Sequence, residues 1–288
     1  MRVLKVAVIL VVFASLTVVF AAGIVLVRGV LLQLSGSPVV ASSGALSEHD
    51  LAQLNAMEPQ EQATLLLEKA VNNYRGAREE IARRLDSWKG QIHSTPRLDS
   101  LTSTAYFSSD LRVRAATLEI WLVRDNISKT PEAVDELIRD AATTEDRRYF
   151  RLSTLGILGN RGIEPRRVFQ TLAYYARDPS STTRAAAING LGLLGSEDTI
   201  PVLLEILHND PVFNLRDSAA CNLADSGMLP RELRHDAVPE LIGFLEDRDL
   251  DKPTRQEVVL ALREITGQNL QDDPVAWRSW SLSQPHQR

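Results

Sequence analysis

Apolar positions along most of this chain recur every three to four residues, the period of an α-helix, and no stretch alternates strongly enough for a strand. From Pro59 onward, Ala63, Leu66, Leu67, Ala70, Val71 and Tyr74 fall on one stripe. Ala77, Ile81, Leu85 and Trp88 form the next. Ser47, with Asp50 three residues on, makes a capping-box start ahead of them, and Pro59 suits a first helical turn. Between Lys89 and Asp110 the period fades into Ser- and Thr-rich sequence, which predicts loop or irregular structure. Residues 47–109 are expected to form an N-terminal helical segment.

The amino terminus has a different pattern. After a short tail of residues 1–5, residues 6–27 form a charge-free apolar run of about 22 residues. At ~1.5 Å per residue this nearly matches a hydrocarbon core of ~30 Å. A cleavage site drawn near Ala21 or Ala22 would leave an apolar new terminus, so the run is expected to be an uncleaved transmembrane anchor. Arg2 and Lys5 precede it, whereas Glu48, Asp50 and Glu58 follow Arg28, which predicts a cytoplasmic amino terminus and an extracytoplasmic, periplasmic remainder. Residues 28–46, rich in Ser and Gly, are expected to be a flexible linker.

From Leu111 the chain can be laid on itself. Arg114, Arg148, Arg184, Arg216 and Arg255 each precede, by seven residues, a large apolar residue: Trp121, Leu155, Leu191, Leu223 and Leu262. The arginines are about 34, 36, 32 and 39 residues apart. "TIPVLLEIL" at 199–207 and "AVPELIGFL" at 237–245 match as second halves, with Pro201 facing Pro239. Such a repeat predicts an all-α solenoid of stacked antiparallel helix pairs, preceded by one transmembrane helix. The stretch "TTRAAAINGLGLLGSEDTIPVLLEILHNDP" resembles short bacterial HEAT-like units. The resemblance covers residues 110–267 and is weakest in the Arg114 and Arg148 units. Residues 268–288 resemble a closing segment, in which Asp273-Pro274 starts a short helix and Trp277 and Trp280 cover the last apolar face. The family implies a non-enzymatic surface for a protein partner, here on a membrane-anchored scaffold. The alternatives it leaves are a structural accessory subunit of a membrane or envelope complex and, further off, a HEAT-like enzyme of the lyase type.

One motif argues for different chemistry. Gly190, Gly192 and Gly195 have the G-x-G-x-x-G spacing of a dinucleotide site. That site needs a strand before it and a helix after it, whereas "RAAAIN" has helical spacing. Gly195 is therefore expected to close the first helix of a repeat, and Gly190 and Gly192 to permit close helix packing. In matching stretches Gly159 and Gly227 stand where Gly195 does, which predicts the same turn.

Composition narrows the partners. A net charge of -5 leaves no global positive field for nucleic acid. The single cysteine, Cys221, excludes an internal disulfide and is expected to be a small buried residue. His49, His93, His208, His235 and His286 have no metal-binding spacing; His208 with Asp210 and His235 with Asp236 are the nearest pairs. No catalytic, cofactor or metal residue is expected, and no cofactor or small-molecule substrate. Two contacts are expected: a protein partner, and the lipid bilayer through residues 6–27. Arg147, Arg148, Arg151, Arg161, Arg166 and Arg167 crowd one unit and are the candidate partner-binding patch, unless they form an ordinary solvated face with Arg148 bonding carbonyls between repeats. Asn126-Ile127-Ser128 matches a glycosylation sequon, which matters only in a eukaryotic secretory setting.

Overall fold

The computed structural model describes residues 44–284, and the predicted span at 6–27 lies outside them. No helix among the described residues is long and apolar enough to cross a membrane. They form helices throughout, with no strand beyond one isolated bridge between Ala45 and Arg75.

The chain is pinned before Ser47. The Arg75 N–H donates to the Gly44 carbonyl at 2.9 Å, and the Leu46 N–H donates to the Arg75 carbonyl at 3.1 Å. Ser47 and Asp50 then form the capping box of α1 (Glu48–Asn55). The Asp50 N–H donates to the Ser47 hydroxyl at 3.1 Å, and the Ser47 N–H to the Asp50 carboxylate at 2.8 Å. The Ser47 hydroxyl also donates to the Asp50 carboxylate at 2.6 Å, and this bond, followed by that of the Ser47 N–H, holds the Asp50 pKa down at about 2. Helices α2 (Pro59–Val71) and α3 (Ala77–Trp88) bury the two predicted stripes, and the Trp88 indole donates to Gln62 at 3.0 Å.

The expectation of loop over Lys89–Asp110 is overturned by α4 (Pro96–Tyr106). Thr95 caps it, Pro96 takes its first turn, and Leu98, Thr102 and Ala105 are its buried face. The apolar period is faint because the middle position of that face is threonine, whose hydroxyl donates to the Asp99 carbonyl at 3.0 Å. Helix α5 (Leu111–Arg124) follows from an Asp110 cap. It is apolar on two sides: Val113, Ala116 and Ile120 join the core of α1–α4, while Leu118 and Leu122 join the core of everything that follows. A helix with two apolar faces must be covered on both.

Beyond it come helix pairs: α6 (Pro131–Thr143), α7 (Arg148–Asn160), α8 (Pro165–Tyr175), α9 (Ser181–Leu194), α10 (Thr199–Asn209) and α11 (Phe213–Ala224). A short turn, α12 (Arg231–Arg234), leads to α13 (Val238–Glu246), α14 (Lys252–Thr266) and α15 (Pro274–Ser283). In α15 Trp277 is fully buried and Trp280 packs edge-on against it, centroids 6.0 Å apart, over the end of the core.

The recurrent arginines bind the stack together. Each reaches back to carbonyls just before its own helix: Arg148 to Ala141, Arg184 to Asp178 and Pro179, Arg216 to Asp210, and Arg255 to Leu245 and Asp247. Those carbonyls lie at or beyond helix C-termini, where a cation meets the negative end of the dipole. Each also reaches forward to the next unit: Arg148 to Thr183, Arg184 to Asp210, Arg216 to Thr254 and Asp251, and Arg255 to Asp272. Arg148 therefore does bond a carbonyl between helices, as an ordinary repeat arginine would.

Arg114 breaks the alignment. It is buried, and it donates to the Asp225 and Gly227 carbonyls at the far end of α11. Arg161, which follows α7, meets the first half of α5 through the Ala115 carbonyl at 2.9 Å and Glu119 at 2.5 Å. The end of α5 lies beside Tyr149 and Phe150 at the start of α7. Helix α5 thus runs antiparallel to α7, where the repeat predicts a parallel first helix.

The glycines divide likewise. Gly195 ends α9 in the left-handed region at φ 58°, its N–H bonded to the Leu191 carbonyl at 3.0 Å. Its supposed equivalents do otherwise: Gly159 is buried inside α7, and Gly227 has no positive φ. Close packing is real, however. A Cβ on Gly156 would lie 2.2 Å from the Gly190 carbonyl oxygen, so α7 and α9 touch backbone to backbone.

Candidate functional site

The six clustered arginines do not form one patch. Arg148 is spent on the ladder, Arg151 pairs with Asp140 at 3.2 Å, and Arg161 joins α5. Arg167 pairs with Asp135, leaving Arg147 and Arg166 exposed without a partner among the described residues. Arg147 stands before α7, whereas Arg166 and Arg167 open α8 beyond the other end of α7, about 19 Å away at ~1.5 Å per residue. Three of the six are therefore structural, and the rest are divided between two ends of a helix pair.

The histidine pairs also change. Asp210 is buried and bidentate to Arg184, at 2.7 and 3.0 Å, so it does not serve His208. His208 instead meets Asp247 at 3.0 Å and stacks on Phe244, centroids 4.5 Å apart. The Asp249 N–H, then His208, holds the Asp247 carboxyl below the usual range. His235 and Asp236 lie exposed on a 3-10 turn, His235–Ala237. Cys221 is half-buried rather than buried. No group of three or more metal-ligating side chains comes together among the described residues.

The reversed α5 creates a feature that no local spacing announces. Where a parallel stack would close, α5 and α7 leave a cleft of about 320 Å³, lined by Tyr106, Trp121, Tyr149 and Phe150 with Ile127, Ile157 and Leu193. The chain is only 6% aromatic, so four rings in one cleft is a concentration. Tyr106 comes from the end of α4, Trp121 from α5, Tyr149 and Phe150 from α7. Tyr106 and Trp121 pack at 5.2 Å with planes 31° apart, and Phe107 stands edge-on to Tyr106. Tyr149 is 53% exposed and Phe150 40%, whereas most large apolar side chains here are inside.

The floor is polar but uncharged. The Tyr106 hydroxyl approaches the Asn189 side-chain oxygen at 3.4 Å, and the Asn189 amide donates to Ser153 at 2.8 Å. Burial pushes the Tyr106 phenol up to about 12, so it stays a neutral donor. Arg124 at the edge is neutralised by Asp125 at 2.9 Å and Asp99 at 3.6 Å. Beside the cleft, sharing Ile127 and Phe150, runs a groove of about 420 Å³ lined by Glu132, Glu136, Asp140, Arg147 and Arg151. The arrangement offers no nucleophile with a base. It offers apolar, ring-walled contact area with hydrogen-bond donors.

Residues 134–224 match the family model for HEAT repeats. That segment is similar to HEAT repeats. The match runs from α6 to α11 and leaves out the reversed α5, whose arginine alone departs from the HEAT ladder. HEAT repeats in general mediate protein–protein interaction. The search of curated proteins found no match to the chain.

Proposed function

We propose that this chain is a membrane-anchored, non-enzymatic adaptor that captures a protein partner on its HEAT-repeat surface, in the aromatic cleft between α5 and α7. The observation that carries the reading is the group of four rings, two of them well exposed, at the point where the stack departs from its repeat. Exposed aromatic groups in a concave site are the usual anchors of an interface. Residues 6–27, charge-free and about 22 residues long, support the anchor, and the distribution of Arg2, Lys5, Glu48 and Asp50 supports an extracytoplasmic repeat domain.

The test is affinity isolation of the full chain from detergent-solubilised membranes, with the Phe150→Asp variant in parallel. Phe150 is 40% exposed, so a carboxylate there leaves the fold intact and puts an unpaired charge in the cleft. The expected result is a stoichiometric partner on the native chain that Phe150→Asp loses. No stoichiometric partner on the native chain overturns the reading. Protease digestion of spheroplasts tests the topology, which requires the repeats to be cut.

A further inference from the structure

The cleft and the groove beside it share Ile127 and Phe150, so they are one continuous surface with two characters. One end is aromatic and electrically quiet. The other carries Glu132 and Glu136, which stand at i and i+4 on α6 without an ion-pair partner among the described residues. Like charges at that spacing repel, so the helix face is improved by any cation that settles between them. Arg147 is the single unpaired cation in the groove, because Asp140 neutralises Arg151. The groove is therefore a net acidic neighbour to an apolar cleft.

The aromatic end specifies the shape of its occupant. The indoles of Trp88 and Trp277 donate to Gln62 and to the Gln271 carbonyl, at 3.0 and 2.8 Å. The indole N–H of Trp121 has no acceptor among the described residues, and neither has the Tyr149 hydroxyl. Free donors beside flat rings suit a backbone whose carbonyls are unspent, as in a polyproline II segment, which makes no internal hydrogen bonds. Such a segment also brings little conformational entropy to lose. A helix would need anchors spread along several turns, whereas these rings gather in about 320 Å³. An anionic headgroup would need an unpaired cation in the cleft, and Arg124 is doubly paired.

We propose that the cleft and groove form one docking surface for an extended, proline-bearing segment of the partner protein, its apolar residues seated among Tyr106, Trp121, Tyr149 and Phe150 and a neighbouring basic residue held by Glu132 and Glu136. This rests on the reading of the chain as a partner-binding adaptor and names what the partner must present.

The test titrates the full chain in detergent into a fluorescein-labelled peptide of alternating leucine and proline flanked by arginines, followed by anisotropy. Two control peptides replace every proline by glycine, or the arginines by glutamates. Saturable binding is expected, weaker by about tenfold or more for either control, with the arginine preference shrinking at high salt. Trp121→Ala should weaken binding by about 30-fold, as truncation of an aromatic anchor does. Tyr149→Ala, at an exposed position, gives the same test in a variant whose fold is not at risk. Glu132→Lys with Glu136→Lys should reverse the flank preference.

No saturable binding, equal binding of either control, or full binding by folded Tyr149→Ala overturns the proposal. Replacing Pro38, Val39 and Val40 by serine should leave affinity unchanged; a tighter fit would show that the chain's own linker is the occupant and would also overturn it. Failure here is separable from failure of the adaptor reading. A partner retained by Phe150→Asp in the membrane isolation removes the docking surface alone, whereas the absence of any partner removes the adaptor itself.

Discussion

Two glycine-to-alanine substitutions, chemically identical, should move stability in opposite directions. Gly156 in α7 faces Gly190 in α9, and a Cβ there would lie 2.2 Å from a carbonyl oxygen and 2.9 Å from the carbonyl carbon. Neither atom is the tip of a side chain, so the helices must part by about 1 Å to reach ordinary contact. Alanine gains ~1 kcal/mol in helix propensity. Overpacking costs ~1–3 kcal/mol, and parting α7 from α9 also loosens the buried contacts of Leu152, Leu155, Ile188 and Leu191. The net expectation for Gly156→Ala is a loss of about 1–2 kcal/mol, a fall in Tm of ~2–8 °C for a domain of this size. Gly243, inside α13, has nothing within 4 Å of its Cβ position. Gly243→Ala should therefore keep the propensity gain and raise Tm by ~2–4 °C. Circular dichroism melts of both variants beside the parent decide the matter, compared as midpoints because stacked repeats need not unfold in one step. A Gly156→Ala chain that melts at or above the parent would refute the backbone contact between α7 and α9.

Other expectations follow from the ion pairs and caps. Asp210→Asn strips Arg184 of its buried bidentate partner and should cost ~3–5 kcal/mol in a denaturant titration, far more than the same change at the half-exposed Asp135. Arg114→Met removes the donor to the Asp225 and Gly227 carbonyls, and should cost ~2 kcal/mol and speed amide exchange at the end of α11 rather than in α5. The Asp50 pKa is lowered, so its support of α1 is complete above the unfolded value of ~3.9 and is lost as pH falls towards about 2. Exchange protection in α1 should fade over that interval, and Asp50→Asn should abolish the pH dependence.

Much of this fold is written locally. The stripes of α2 and α3, the Ser47 box, the Gly195 cap and the Trp277 closure all depend on residues within a turn or two of one another. Helix α4 was obscured because a hydrogen-bonded threonine occupies its buried face, although Thr95-Pro96 was a legible cap. The direction of α5 was not legible. Its arginine sits at the repeat position and even bonds back to the Ser108 carbonyl, yet its second partners lie more than a hundred residues on. The signal was its pair of apolar faces, which belongs to a wedge between two cores. The cleft is a consequence of that wedge: Tyr106, Trp121, Tyr149 and Phe150 share no period and meet only in three dimensions. The arginine cluster was the reverse case, close in sequence and divided by the length of a helix.

The capture of a partner by the cleft is most directly tested by a photoreactive amino acid placed at Tyr149 in one chain and at Tyr174 in another, each irradiated in intact membranes. Both positions are exposed, at 53% and 74%, but only Tyr149 lines the cleft. The expected result is a single discrete adduct from Tyr149, absent from Tyr174 and removed by Phe150→Asp. Equal adducts from both positions, or an adduct from Tyr174 alone, would contradict the account.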